Sequence, residues 1–421
     1  MAQKTDRHIV VLVLMDIYEK RAYANIALRK ALTDSHLDAR SRAFVTDMVN
    51  ETIRNLRQID YILDKFSKIP VAEMRPFIRA LMRMSVCQIK FMEEIPDSAA
   101  VNESIDLAKK HGFSNLAGFV NAVLRNIAAA DMVESKDPAI KYSYPEWLME
   151  KVFDWLGPEG AETFLKNSQT PPPVTVLTNT VKTTFENLQE ILLEEGIKTT
   201  PLENNFLVLH KPGDISRLGS FKQGLFFVMD PGAIHAVNAM NPQPGQTIID
   251  VCAAPGGKSF ATAIKMQNQG TILAFDIHSH RVDLISQTSK KLGISIIHSK
   301  TKNSIMFDPS LENKADAVLL DAPCSGLGTI RKHPEIKYVR KMKDIIELSK
   351  TQEALISTAA KYVKPGGKLV YCTCTIATEE NADIIEYFLG NHSEFKLVSS
   401  EQILPSAKSD AFFVAVLTRV E

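Results

Sequence analysis

From Met1 to about Ala130 the apolar residues recur at helical spacing, as in Phe44, Val45, Met48, Val49, Ile53, Leu56 and Ile59, and no alternating strand pattern competes. Helix punctuation agrees. Pro76 stands where a first helical residue would, Ser98 can cap the stretch through Val101, Ile105 and Ala108, and Gly112 can end it. The run Ile9 to Ile17, interrupted by Asp16 and followed by Glu19, Lys20 and Arg21, reads as a buried helix. An all-α domain is therefore expected over 1–130. A polar stretch from Asp131 to Pro145 breaks this pattern, and Pro171, Pro172 and Pro173 mark a second break. The run Val174 to Leu177, the helical stretch Phe185 to Glu195 closed by Gly196, and the run Phe206 to Leu209 predict a small α/β unit over 145–231. From about Gly232 to the end, strand-type runs alternate with helical stretches, which predicts βαβ units and a parallel sheet over 232–421. The runs are Thr247 to Val251, Thr271 to Phe275, Ser295 to Ile297, Ala317 to Leu320 and Lys368 to Tyr371. In such sheets ligands bind beyond the carboxyl ends of the strands, so the residues after each run are the candidates for chemistry.

Composition narrows the picture. A chain of 421 residues exceeds what one hydrophobic core organises, and 45% apolar with 23% charged residues is ordinary for globular domains. No apolar run is long enough to cross a bilayer, so a cytoplasmic protein without a membrane partner is expected. The five cysteines are not spaced as zinc ligands, which predicts reduced thiols and no metal. Net charge is zero, but the first 130 residues hold 19 Lys and Arg against 15 Asp and Glu. Arg54, Arg57, Arg79, Arg83, Lys109 and Lys110 are the expected carriers of affinity for a polyanion there.

After the first strand of the parallel region comes Asp250-Val251-Cys252-Ala253-Ala254-Pro255-Gly256-Gly257-Lys258-Ser259, a small-residue turn opening into a helix. Small residues let a cofactor approach the backbone and the helix N-terminus. A phosphate-binding loop would need glycine where Cys252 stands, and the dinucleotide Gly-x-Gly-x-x-Gly is absent. Asp276 follows the second strand, where an acid accepts from ribose hydroxyls or simply caps a helix. Asp321-Ala322-Pro323-Cys324-Ser325-Gly326-Leu327-Gly328 follows the fourth, and Tyr371-Cys372-Thr373-Cys374-Thr375 the fifth. A lone free cysteine is usually packing, but two arriving at adjacent strand ends beside Asp321 suggest nucleophilic chemistry. Cytosine resists reaction at carbon 5 until a nucleophile adds at carbon 6, and a carboxyl group at the ring's nitrogen edge favours that addition.

These motifs resemble those of the bacterial ribosomal RNA cytosine-5 methyltransferases of the NusB-fused type, and the likeness spans nearly the whole chain. The turn at 250–259 is similar to the family's cofactor loop and Asp321 to Gly326 to its Asp-Ala-Pro-Cys-Ser box. Thr373-Cys374 with Glu379-Glu380-Asn381 is similar to its Thr-Cys box and trailing Glu-Glu-Asn. The stretch Arg331 to Lys337 is close to the subgroup that modifies small-subunit ribosomal RNA. The resemblance implies a NusB-like RNA-binding domain followed by a Rossmann-like S-adenosylmethionine-dependent methyltransferase domain, acting as a monomer on ribosomal RNA. It makes Cys252, Ala253, Ala254, Pro255, Gly256, Gly257 and Lys258 the S-adenosylmethionine site, with Asp276 on the ribose and Asp321 near donor and base. Cys374 becomes the nucleophile, Cys324 assists release of the methylated base, and Cys372 is packing. Where the family has Gly-Asp after the third strand this chain reads Ser299 to Asn303, with Asn303 the substitute on the adenine side. Met229-Asp230 replaces the usual Gln-Asp, and Thr378 the proline before Glu-Glu-Asn. Alternatives are a methyltransferase acting on transfer RNA or another RNA, a DNA cytosine-5 methyltransferase, disfavoured because no Glu-Asn-Val follows Cys324, and a non-catalytic RNA-binding factor.

Overall fold

The structure, a computed structural model, describes residues 5–20, 22, 24–35 and 37–420. Two compact units are present: 1–151 together with 330–339, and 152–329 together with 340–421.

The first unit is helical. Its helices Asp6–Lys20, Ala24–Thr33, Ala39–Arg54, Leu56–Phe66, Pro76–Phe91, Asp97–Lys110 and Ala117–Ala129 share one core. Asp6–Lys20 buries Ile9, Val10, Val11, Val13, Leu14 and Ile17, so it is apolar nearly all round, as a central helix should be. Arg21, the last charge of the run behind it, lies outside the described residues. The apolar pattern from Phe44 to Ile59 is divided at Asn55, whose side chain turns back to the Glu51 carbonyl at 3.1 Å. Pro76 opens its helix and Gly112, at φ 81°, follows the end of another, as expected. Ser98 does not cap: the helix already includes Asp97, and Pro96 holds the capping position.

The basic residues expected to face solvent divide. Arg54 is only 4% exposed, and Arg83 forms a two-pronged pair with Asp60 at 2.7 Å on each arm. Arg79 pairs with Glu19 at 2.5 Å and Arg57 with Glu146. Lys109 and Lys110 are exposed. Helical periodicity identifies polar positions but not which of them are spent on internal ion pairs.

The segment Ile330–Val339 packs within this helical unit. Lys337 is fully buried and donates to the Arg54 carbonyl at 2.9 Å, while Arg54 donates to the Arg331 carbonyl at 3.0 Å. Burial, reinforced by the Arg54 cation, holds the Lys337 amine well below its ordinary range.

The second unit contains two sheets. A four-stranded antiparallel sheet has the order β2-β3-β1-β4, with β1 Val174–Thr178, β2 Lys198–Pro201, β3 Phe206–His210 and β4 Phe226–Val228. Helix Phe185–Glu194, capped by Thr184, buries Leu188 and Leu192 in the same cluster as Val176, Leu207 and Leu209.

The larger sheet has the order β10-β11-β9-β8-β5-β6-β7. Its parallel strands are β5 Thr247–Asp250, β6 Thr271–Asp276, β7 Ile297–Thr301, β8 Ala315–Asp321 and β9 Val363–Thr373. The antiparallel hairpin β10 Phe395–Ile403 and β11 Phe412–Arg419 lies against β9. The parallel core is buried on both faces. Ile248, Ile272, Ala317 and Val370 belong to one cluster, and Ile249, Val318, Leu320 and Tyr371 to the other. The third strand begins later than its apolar run suggested, because β7 is an edge strand carrying His298, Ser299 and Lys300. Among the described residues no helix is long and apolar enough to cross a membrane, and no cluster of His, Cys, Asp or Glu suits a metal ion.

Candidate active site

The parallel strands bring the sequence motifs to one edge. β5 ends at Asp250, after which Cys252 to Gly256 turn into the helix Gly257–Lys265. Gly256 has φ 108°, and a Cβ there would lie 2.4 Å from the Phe260 ring, so this position requires glycine. A Cβ on Gly257 would meet nothing within 4 Å, and no side chain caps the helix. The turn thus offers open space over uncapped backbone N–H groups. Asp276 ends β6 and is 7% exposed. Its Oδ1 accepts the His278 amide at 2.9 Å, while Arg281 stands 3.6 Å from Oδ2. Oδ2 can accept from a ribose hydroxyl. Beyond β7, Asn303 Oδ1 accepts the Ile305 amide at 3.2 Å, leaving its amide nitrogen able to donate to a purine ring. The loop, the acid and the amide fit S-adenosylmethionine.

Chemistry concentrates between β5, β8 and β9. Lys258 donates to Asp321 Oδ2 at 2.6 Å, and the Cys372 thiol stands 3.5 Å from Asp321 Oδ1. Burial disfavours the Lys258 cation, but Asp321 outweighs it, and the amine is held above its ordinary range. Asp250 is fully buried with its Oδ2 accepting from Ser259 at 2.5 Å, and burial pushes its carboxyl up to about 7. The two thiols named from sequence converge: Cys324 Sγ and Cys374 Sγ are 3.3 Å apart. The hydrogen bond to Cys374, together with burial, holds Cys324 well above the ordinary thiol range. Burial does the same for Cys372, in keeping with packing.

Three features of the site carried no role in the sequence reading. Glu380 is fully buried and accepts from the Ser325 amide at 2.8 Å, from the Ser325 hydroxyl, and from Gln352 Nε2 at 3.1 Å. Ser325 also meets Thr375 Oγ1 at 2.8 Å, so one carboxylate ties the Cys324 turn to the end of β9. Thr373 donates to Asn381 Oδ1 at 2.6 Å, and Asn381 donates to the Thr375 carbonyl at 3.1 Å, which brackets Cys374. Gly328 donates to the Cys374 carbonyl at 2.9 Å, and a Cβ there would lie 2.4 Å from the Ala411 carbonyl oxygen. The Glu-Glu-Asn triplet and the glycine spacing after Cys324 were the available signals, but their partners come from distant segments.

Comparison with known proteins agrees with this geometry. Residues 237–418 match the model of the 16S rRNA methyltransferases RsmB/F, residues 4–129 that of the NusB family, and residues 144–216 that of the ferredoxin-like domain of RsmF/B-like methyltransferases. The probable ribosomal RNA small subunit methyltransferase B of Bacillus subtilis is 34% identical, over 96% of this chain and 93% of its own. Ribosomal RNA small subunit methyltransferase B of Thermus thermophilus is 30% identical, over 94% and 90%. The crystal structure of PH0851 superposes with a TM-score of 0.79 at 27% identity, covering 98% of both chains. A methyltransferase homolog from Pyrococcus horikoshii gives 0.59 at 27% identity, over 68% of this chain and 98% of its own. With the sheet of a methyltransferase, this convergence of motifs and relatives aligned along nearly its whole length, the chain belongs to the RsmB/F family of 16S rRNA methyltransferases.

Proposed function

We propose that this protein methylates carbon 5 of a cytosine in small-subunit ribosomal RNA, using S-adenosylmethionine and a covalent bond from the base to Cys374. The observation that carries this reading is the pair of thiols 3.3 Å apart beside the Lys258–Asp321 pair. Cys324, held as a thiol, donates its S–H toward the Cys374 sulfur. The Lys258 cation lies within electrostatic reach of Cys374. The Cys374 thiolate adds to carbon 6 of the cytosine, and electron density moves to carbon 5. Asp321, or a proton it shares with Lys258, meets the nitrogen edge of the ring and stabilises the charge that develops. The loop 252–258, Asp276 and Asn303 would hold S-adenosylmethionine, which would supply an electrophilic methyl group for carbon 5. A solvent base then takes the carbon 5 proton, and the pair from that C–H bond forms the carbon 5–carbon 6 double bond. The bond from carbon 6 to Cys374 breaks with its electrons returning to the sulfur, toward which Cys324 donates and so assists release.

The reading predicts opposite behaviour of two variants. Cys374→Ala should form no adduct and transfer no methyl group while still binding RNA and donor. Cys324→Ala should still attack and then stall, giving a slowly migrating band on a denaturing gel that ribonuclease removes. The arrangement used by DNA cytosine-5 enzymes requires the reverse, so an adduct in Cys374→Ala overturns the assignment. Bisulfite sequencing of ribosomal RNA from cells lacking the protein should show one lost 5-methylcytosine.

A further inference from the structure

A groove of about 600 Å³ opens in the second unit, and none of the candidate catalytic or cofactor residues lines it. Its walls are the turn from β2 into β3, the turn at 231–235 and the loop at 406–409. Phe206 and Ile234 are buried in its floor, whereas Asn204, His235 and Lys408 stand exposed at its rim. Asp230 fastens two of the walls together, since its Oδ1 accepts both the Gly232 amide at 2.8 Å and the Asp410 amide at 3.1 Å. The groove is therefore preformed. It also adjoins the chemistry. Gly232, one of its lining residues, abuts Phe412 so closely that a Cβ would lie 2.5 Å from that ring. Lys258 Nζ stands 5.5 Å from the centre of the same ring and pairs with Asp321.

The volume suits a small planar ligand, yet the rim is open, as a groove for a polymer must be and a closed cofactor pocket is not. Its charges nearly cancel, with Lys408 opposed by Glu203, so phosphate attraction alone does not explain it. An enzyme that draws one base out of single-stranded RNA must hold the neighbouring nucleotides by stacking and by their exposed edges. Resting on the RNA-methylating function above, we propose that this groove holds the base of the nucleotide flanking the target cytosine. The base lies against Leu202, Pro231 and the His235 imidazole, with its edge at Asn204 and its phosphate at Lys408.

The test uses the full-length protein and a transcript of small-subunit ribosomal RNA bearing the mapped cytosine, with binding read by fluorescence anisotropy. His235→Ala and Asn204→Ala should each weaken RNA binding about tenfold without changing the affinity for S-adenosylmethionine or the melting temperature. An abasic site at one of the two neighbours of the cytosine should weaken binding of the wild-type protein by a similar factor, and that loss should not multiply with His235→Ala. Wild-type RNA affinity in both variants, or full multiplication of the two losses at both neighbours, overturns the proposal. Because binding is read separately from methyl transfer, failure of the proposed reaction with the tenfold losses intact would count against the chemistry and not the groove.

Discussion

Glu380 offers the most direct test of how the two thiols are held. Its carboxylate has no exposed surface and receives three hydrogen bonds, two from Ser325 and one from Gln352. Hydrogen bonds to a charged group are worth about 1.5 to 3 kcal/mol each, and a buried donor left unmatched costs about 1 to 3 kcal/mol. Two of the three donors keep a second partner, because the Ser325 hydroxyl also meets Thr375 and Gln352 also donates to the Pro323 carbonyl at 2.9 Å. Only the Ser325 amide is stranded. Burial raises the Glu380 carboxyl above its usual range against the pull of these bonds, which lowers the net benefit of the charge. Glu380→Ala should therefore cost about 3 to 4 kcal/mol, and Glu380→Gln, which keeps one acceptor of the same shape, about 1 to 2 kcal/mol. Chemical denaturation supplies these values. Single-turnover methyl transfer supplies the functional one: Glu380→Ala, folded at 20 °C, should lose at least tenfold in rate with donor affinity unaltered, and Glu380→Gln should restore most of it. A wild-type rate in folded Glu380→Ala, or a cost below about 1 kcal/mol, would refute the idea that this carboxylate positions the Cys324 turn.

Asp276→Ala should weaken S-adenosylmethionine by about 1.5 to 3 kcal/mol in calorimetry on folded protein, the range for hydrogen bonds to a charged group, and an unchanged dissociation constant would remove its ribose role. Asp250, at about 7 when folded against 3.8 for an ordinary aspartate, gives stability that is full below about 3.8 and is lost as pH rises through 7. Asp250→Asn should flatten the part of the melting-temperature profile that falls between about pH 4 and pH 7. Lys337, whose folded value is depressed, gives stability that is full above its ordinary 10.5 and is lost as pH falls below it. Lys337→Met should stabilise the protein by about 1 kcal/mol at pH 7 and lose that advantage toward pH 10.5, and destabilisation at pH 7 would show that the bond to the Arg54 carbonyl outweighs the buried amine.

Periodicity made the inner parallel strands β5, β6, β8 and β9 legible because they are buried on both faces and read as short apolar runs, as Ile248–Ile249 and Val318–Leu320 do. The same signal failed for β10, whose positions from Lys396 to Glu401 are all exposed, and for β2, where only Thr199 is even partly covered. Edge strands expose polar side chains and have no second apolar face to announce them. The site followed a similar division. That Cys324, Cys374, Asp321 and the 252–258 turn gather at one edge of the sheet was legible from motif and position, because each stands at a strand end. Glu380, Gln352, Asn381 and Gly328 were not given roles, because their function is to join segments separated by tens of residues.

The unread elements hold the legible ones in place. Gly328 bonds to Cys374 and Ala411, and Gln402 accepts from Asn381 at 2.9 Å and donates to the Phe412 carbonyl at 3.0 Å. The antiparallel hairpin thereby braces both thiol-bearing loops from the side of the sheet opposite the donor loop. Two cysteines at adjacent parallel strand ends would otherwise sit on loops free to splay, and the precision that the proposed addition to carbon 6 requires would be lost. The chain continuing from the Cys324 loop supplies a further restraint. It runs through Ile330–Val339 in the helical unit and returns at Arg340, which donates to the Ser325 carbonyl at 3.1 Å. Removing 1–130 would strip the cover from Lys337 and Tyr338, so such a truncation would unsettle the buried segment at 330–339 as well as test the proposed RNA affinity of the helices. Point substitutions at exposed Lys109 and Lys110 test that affinity while leaving the cover in place.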